Sequence, residues 1–184
     1  KGNFMLFKDF NSMGYDYKTL ADFHAEDAKR IGFFLWDEPK TFQLDELKIQ
    51  YDFLRRKYPS MISLVNIFPS YVSQSLLKST YQEYIDDYFS KLQPAYASLD
   101  NYPCYRKDYN GTTYYHDLEM MREKSQKNKC KILGFVQVYS SDAMRDVSGS
   151  DLAWQVNSLL AYGSKGLFYF YFRHPVVAIN DLTK

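Results

Sequence analysis

Short apolar runs alternate along the chain with longer segments whose apolar residues recur at spacings of three and four, the rhythm of βα units. The runs 3–7 (NFMLF), 31–36 (IGFFLW), 61–67 (MISLVNI), 95–99 (AYASL), 131–138 (KILGFVQV) and 166–172 (GLFYFYF) predict six strands. Such nearly unbroken apolar runs suit strands buried on both faces, so all six are expected to be parallel. The spacing predicts helices over 17–29 (Leu20, Phe23, Ala28) and 42–57 (Phe42, Leu44, Leu47, Tyr51, Leu54). A longer helix over 73–92 has Leu76, Leu77, Tyr84, Ile85 and Tyr88 as its inner face, Ser73 as N-cap and Pro94 as its stop. Two more are expected over 115–127 (Leu118, Met121, Arg122) and 150–162 (Leu152, Trp154, Val156, Leu159, Leu160), the last ended by Gly163 as a C′ glycine.

Four of the six strands run into polar residues and then a proline: Asp37-Glu38-Pro39, Asn66-Ile67-Phe68-Pro69, Asp100-Asn101-Tyr102-Pro103 and Arg173-His174-Pro175. In a parallel sheet these ends lie on one side, the side where α/β sheets and barrels place ligands. Asp37, Glu38, Asn66, Asp100, Asn101, Gln137, Arg173 and His174 are therefore expected to ring one face. Asn and Asp there also suit N-caps of the following helices, but Gln, Arg and His do not.

A chain of 184 residues has the length of one domain and can bury a sizeable core. Its 23 basic and 22 acidic side chains are interspersed, which argues against a nucleic-acid partner. No apolar run is long enough to span a bilayer, and residues 1–10 lack the features of a signal peptide. Cys104 and Cys130 are read as free thiols, and neither they nor the three dispersed histidines make a metal site. No phosphate loop or nucleophile elbow is present, and no cofactor is expected. With 18 Tyr, 14 Phe and 2 Trp the chain is 18% aromatic, which suits a surface that stacks flat ligands or reflects coding bias alone.

Asp37-Glu38-Pro39 at the end of a strand resembles the Asn-Glu-Pro signature of retaining glycoside hydrolases of clan A, in which the general acid/base glutamate ends strand four of a TIM barrel. The passage from Trp154 through Gly163-Ser164-Lys165-Gly166 to Phe170 resembles helix seven and strand eight of the family 42 β-galactosidase group and related uncharacterised gut-bacterial barrels. The resemblance covers residues 31 to 175. It implies an α/β fold, a (β/α)8 TIM barrel present in part, with about six βα units. Residues 1–184 would then be a single partial catalytic-type domain lacking its first two units, since a full barrel runs to about 250 residues. It further implies a carbohydrate substrate and an extracellular or periplasmic location.

Glycoside cleavage needs a proton donor to the leaving oxygen and a second carboxylate across the sugar. Glu38 is the expected donor, with Asp37 beside it raising its proton affinity. Strand seven of the resemblance, which should deliver the nucleophile, offers Gln137, and an amide cannot form the glycosyl ester. Three readings stay open: Asp100 replaces it, Asp142 reaches in from the following loop, or the protein is a non-catalytic carbohydrate-binding barrel. Trp36, Phe68, Tyr102, Tyr105 and Tyr139 are candidates for stacking on sugar faces. Asn66, Asn101, Gln137 and Arg173 are expected to bind hydroxyls or an acidic sugar, Arg173 by its bidentate fork.

Overall fold

Five strands pair in parallel in strict sequence order: β1 (Gly32–Asp37), β2 (Ile62–Ile67), β3 (Tyr96–Leu99), β4 (Lys131–Gln137) and β5 (Gly166–Phe170). The computed structural model describes Lys18, residues 31–105 and residues 112–170. The expected strand 3–7, most of the expected helix 17–29, and Arg173 and His174 lie outside the described residues. Between the strands come a 3-10 turn (Thr41–Gln43), α1 (Leu44–Lys57), α2 (Gln74–Leu77), α3 (Tyr81–Leu92), α4 (Thr112–Asn128) and α5 (Gly149–Ala161). Because the strand order never reverses, right-handed crossovers carry every helix to the same face of the sheet. The sheet curls into a parallel half-barrel of the TIM type, with helices outside and its other face inward.

The two faces have separate cores. Phe33, Leu35, Val65, Ile67, Ala97, Leu99 and Ile132 pack outward on Leu44, Leu47, Tyr51, Leu54, Tyr84, Ile85 and Tyr88 of the helices. Burying each large side chain contributes about 1.5–3 kcal/mol, so this layer supplies most of the packing energy. Phe34, Leu64, Leu133, Phe135 and Phe168 form the inward layer. Farther round the sheet, Val136 meets Tyr114, Leu118 and Leu159 of α4 and α5. Gly32 lies so close to the Ile62 carbonyl that a side chain there would clash with backbone.

β1 breaks its own alternation. Phe34 is opposite Leu64 but Trp36 is opposite Val65, so Leu35 is the extra residue of a bulge. The bulge turns both Leu35 and Trp36 to the helix side, where Trp36 is only 6% exposed. It also brings Asp37 into register with Asn66. A bulge that re-aims a side chain at the end of a strand is a recurrent feature of barrel rims.

The helices differ from expectation in their continuity and in three of their buried positions. The segment 73–92 is two helices, because Lys78 ends α2 in left-handed backbone and Thr80 starts α3 with a capping box on Glu83. The expected cap at Ser73 is present, its Oγ accepting from the Leu76 N–H. Gly163 follows α5 at φ 93°, as the C′ position requires. Phe42, Leu76 and Leu160 were placed on buried stripes and are exposed instead. Phe42 falls in the 3-10 turn, whose tighter winding takes it off the α1 stripe.

Candidate functional site at the carboxyl ends of the strands

Asp37, Asn66 and Ser98 occupy paired positions on three adjacent strands. Asn66 Nδ2 donates to Asp37 Oδ1 at 3.0 Å, and Ser98 Oγ donates to Asn66 Oδ1 at 3.1 Å. With Asn66 and Ser98 buried, this chain of bonds fixes the orientation of the amide and leaves Asp37 at the exposed end. Immediately beyond it, Glu38 sits in left-handed backbone at φ 51° while its N–H donates to the Asn66 carbonyl at 2.9 Å. A glutamate gains nothing from that conformation, and residues held in it cluster at functional sites.

Three carboxyl groups influence one another here. Burial, reinforced by the charge of Asp37, pushes Glu38 up to about 7. Burial also raises Asp100 well above the carboxylate range, Glu38 and Asp37 add to the rise, and a hydrogen bond from Asn66 opposes it. Asp100 Oδ1 is buried without a hydrogen-bond partner among the described residues. Both acids thus hold their protons more tightly than ordinary carboxyl groups, and the charge of Glu38 adds to the rise of Asp100.

Phenols surround the acids. Tyr71, hydrogen-bonded to Tyr105 and 48% exposed, is raised by burial of its hydroxyl, by Tyr105 and by the charges of Asp100 and Glu38. Tyr84 and Tyr102 are likewise raised, chiefly by burial and then by their surroundings, the same carboxylates among them. All stay neutral donors near pH 7. Tyr102 stacks on Phe170 at 5.3 Å and meets Tyr139 edge-on at 5.5 Å, forming an aromatic wall beside the acids.

The other expected residues serve the frame. Asn101 is buried and donates to Asp117 Oδ2 at 2.8 Å. Gln137 is fully buried: its Oε1 accepts the Cys104 N–H at 2.9 Å, and its Nε2 donates to the carbonyls of Cys104 and Tyr139. Trp36 lies in the outer core, and Phe68 is 8% exposed against Tyr84. Asp142 is an exposed loop residue. Cys104 and Cys130 are free and buried. Among the described residues no group of three or more His, Cys, Asp or Glu could hold a metal, and no helix is long and apolar enough to cross a membrane.

The sequence pattern does not single out Ser98, Tyr71, Tyr84, Asp117 or Gln155, whose Oε1 accepts the Gln137 N–H at 2.8 Å. Two of these carried a signal. Asp117 falls with Tyr114, Leu118 and Met121 on one helical stripe, and Gln155 falls likewise with Leu152, Val156 and Leu159, so each is a polar residue on an apolar face.

No family model and no curated protein matches the chain. Among solved structures it is similar to a provisionally assigned alpha-L-fucosidase of Bacteroides thetaiotaomicron, with TM-score 0.63, 9% identity, and coverage of 85% of this chain and 52% of that one. An Ostrinia furnacalis Group IV chitinase aligns with TM-score 0.46 and 13% identity over 76% of this chain and 43% of its own. A Cellulomonas fimi endo-beta-1,4-mannanase double mutant aligns with TM-score 0.46 and 13% identity over 78% of this chain and 36% of its own. At these identities the likeness is one of fold. This chain spans about half the length of the fucosidase-like structure.

Proposed function

We propose that the protein is a glycoside hydrolase acting on an oligosaccharide or polysaccharide, with Glu38 and Asp100 as its two carboxyl groups. The observation that carries this reading is Glu38 itself: strained backbone holds a carboxyl group, pushed up to about 7, beside a second buried acid. Glu38 donates its proton to the glycosidic oxygen. Asp100 works from the other side of the sugar, as nucleophile at about 5–5.5 Å or as base for a water at about 6.5–9.5 Å. Keeping the proton on Glu38 removes a charge beside Asp100 and so favours the ionised Asp100 that the reaction needs. Asp37 and Tyr71 face the sugar hydroxyls, and Tyr102 with Tyr139 completes the substrate side. The fold neighbour of highest TM-score named above, provisionally a fucosidase, supports a sugar-cleaving enzyme on this scaffold. So does the resemblance of Asp37-Glu38-Pro39 to the clan A signature and of Trp154 to Phe170 to the family 42 group, under which Glu38 would end strand four. An enzyme of this kind meets its polymer outside the cytoplasm.

A second reading, a non-catalytic sugar-binding barrel, is favoured by Gln137, whose side chain is spent on loop backbone where clan A enzymes carry a nucleophile. Incubation with a panel of aryl glycosides and oligosaccharides separates the two. Release of reducing sugar, reduced about 10²–10⁴-fold in Glu38→Gln, supports hydrolysis; binding on a glycan array with no release supports the second reading.

A further inference from the structure

Asp117 is a buried acid that the proposed chemistry does not use. It lies on α4, fully buried, on the stripe that packs Tyr114, Leu118 and Met121 inward. Its Oδ2 accepts two hydrogen bonds from different loops: the Ser70 N–H at 3.1 Å and Asn101 Nδ2 at 2.8 Å. Its Oδ1 faces His116 Nδ1 at 3.4 Å, and the His116 side chain is 66% exposed. Ser70 immediately precedes Tyr71, and Asn101 immediately follows Asp100. One carboxylate oxygen thus joins the loop after β2 to the loop after β3, at the residues next to the half-exposed phenol and the buried acid.

The loop after β2 is held from other sides as well. Tyr81 donates its hydroxyl hydrogen to the Phe68 carbonyl at 2.9 Å, and the Phe68 N–H reaches the Tyr84 hydroxyl at 3.4 Å. Those bonds stay within the β2 to α3 unit. Tyr71 is also hydrogen-bonded across to Tyr105 of the loop after β3, and Asp117 adds a tie from a third element, one side-chain oxygen accepting from both loops. A carboxylate is suited to this, since it accepts from several donors at once and its bonds are stronger than those of a neutral acceptor.

We propose that Asp117 is a positioning residue, clamping the loops after β2 and β3 together so that Tyr71 and Asp100 keep their places around Glu38. The inference rests on the reading of Glu38 and Asp100 as the reacting pair, but the clamp itself is testable without turnover. The groups that face Asp100 are Glu38, Asp37, Tyr71, Tyr81, Tyr84 and Tyr102. Releasing Asn101 opens the Asp100 loop to water, which favours the charged form.

The test is a ¹³C NMR titration of the carboxyl carbons of Asp100 and Glu38 in the full chain, comparing wild type, Asp117→Leu and Tyr51→Phe. Leucine keeps the shape of the side chain and removes the acceptor oxygen, which asparagine would retain. Tyr51→Phe removes the hydroxyl that accepts the Ala95 N–H at the opposite end of β3, so it costs a comparable bond far from the acids. The proposal expects the Asp100 midpoint in Asp117→Leu to fall by about one pH unit, a tenfold weaker hold on the proton. In Tyr51→Phe it stays at the wild-type value. Superimposable Asp100 titrations in Asp117→Leu and wild type overturn the clamp, as does an equal fall in Tyr51→Phe. Should Asp117→Leu not fold, Asn101→Ala severs the same tie from the loop side and is read by the same two outcomes. If wild type releases no sugar from any glycoside, the hydrolase reading falls while the titration still decides the clamp.

Discussion

The N–H of Glu38 donates to the Asn66 carbonyl at 2.9 Å although Glu38 itself lies at φ 51°, so the β1–β2 ladder runs on through a residue in left-handed backbone. Each non-glycine residue in that region costs about 1–2 kcal/mol. The ladder, the bulge at Leu35 and the bond from Asn66 to Asp37 together hold the carboxyl group where stability alone would not put it.

Glu38→Gly is accordingly expected to stabilise the protein. Relief of strain outweighs the added freedom of the unfolded chain, for a net gain of about 0.5–1 kcal/mol, or about 2 °C in Tm. Turnover is lost in the same variant. Thermal unfolding followed by circular dichroism checks the gain; a fall in Tm contradicts the strain.

The raised acids fix the sign of the pH dependence. Glu38 binds its proton more tightly folded, at about 7, than at its ordinary value of 4.5. Its contribution to stability is therefore fully present below about 4.5 and is lost as pH rises through about 7. Asp100 acts in the same direction. The lowered carboxylates Asp151, Glu83 and Asp86 act oppositely, but their contributions are complete once pH exceeds the ordinary carboxylate values. Because Glu38 is partly open to solvent, the effect is discounted to a few degrees. Calorimetry is expected to show Tm falling from about pH 5 to pH 8, with a shallower fall in Glu38→Gln. A Tm that rises over that range, or an identical slope in the variant, contradicts the assignment.

The parallel sheet and the positions of its five described strands were legible in the sequence because apolar runs and proline punctuation are local signals. The bulge was not. Phe33-Phe34-Leu35-Trp36 reads as uniform apolar strand, and only the pairing with β2 reveals that Trp36 turns to the helices while Asp37 meets Asn66. The break at Lys78 was similarly hidden, since Leu76, Leu77, Tyr84 and Ile85 keep helical spacing across it and the Thr80 to Glu83 capping box lies inside the apparent helix. Gln137 drew notice as a missing nucleophile. Its partners, the backbone of Cys104 and Tyr139, come from loops that no pattern in β4 predicts.

Gln137→Glu tests that last point. A carboxylate there is buried and faces the Cys104 and Tyr139 carbonyls, which now receive an amide proton pair. A loss of about 2–4 kcal/mol in urea unfolding is expected, with no gain in hydrolysis. Wild-type stability with increased turnover would assign the nucleophile to this position.

Glu38 delivers the proton to the departing oxygen in the proposed reaction, and leaving-group dependence reads that step. A 2,4-dinitrophenyl glycoside departs without a proton, whereas an alkyl or sugar leaving group needs one. Glu38→Gln is predicted to lose about 10²–10⁴-fold in kcat/KM on the poor leaving group, with the loss largely erased on the dinitrophenyl substrate for the glycosylation step. An equal loss on both substrates, or none on either, contradicts the role given to Glu38.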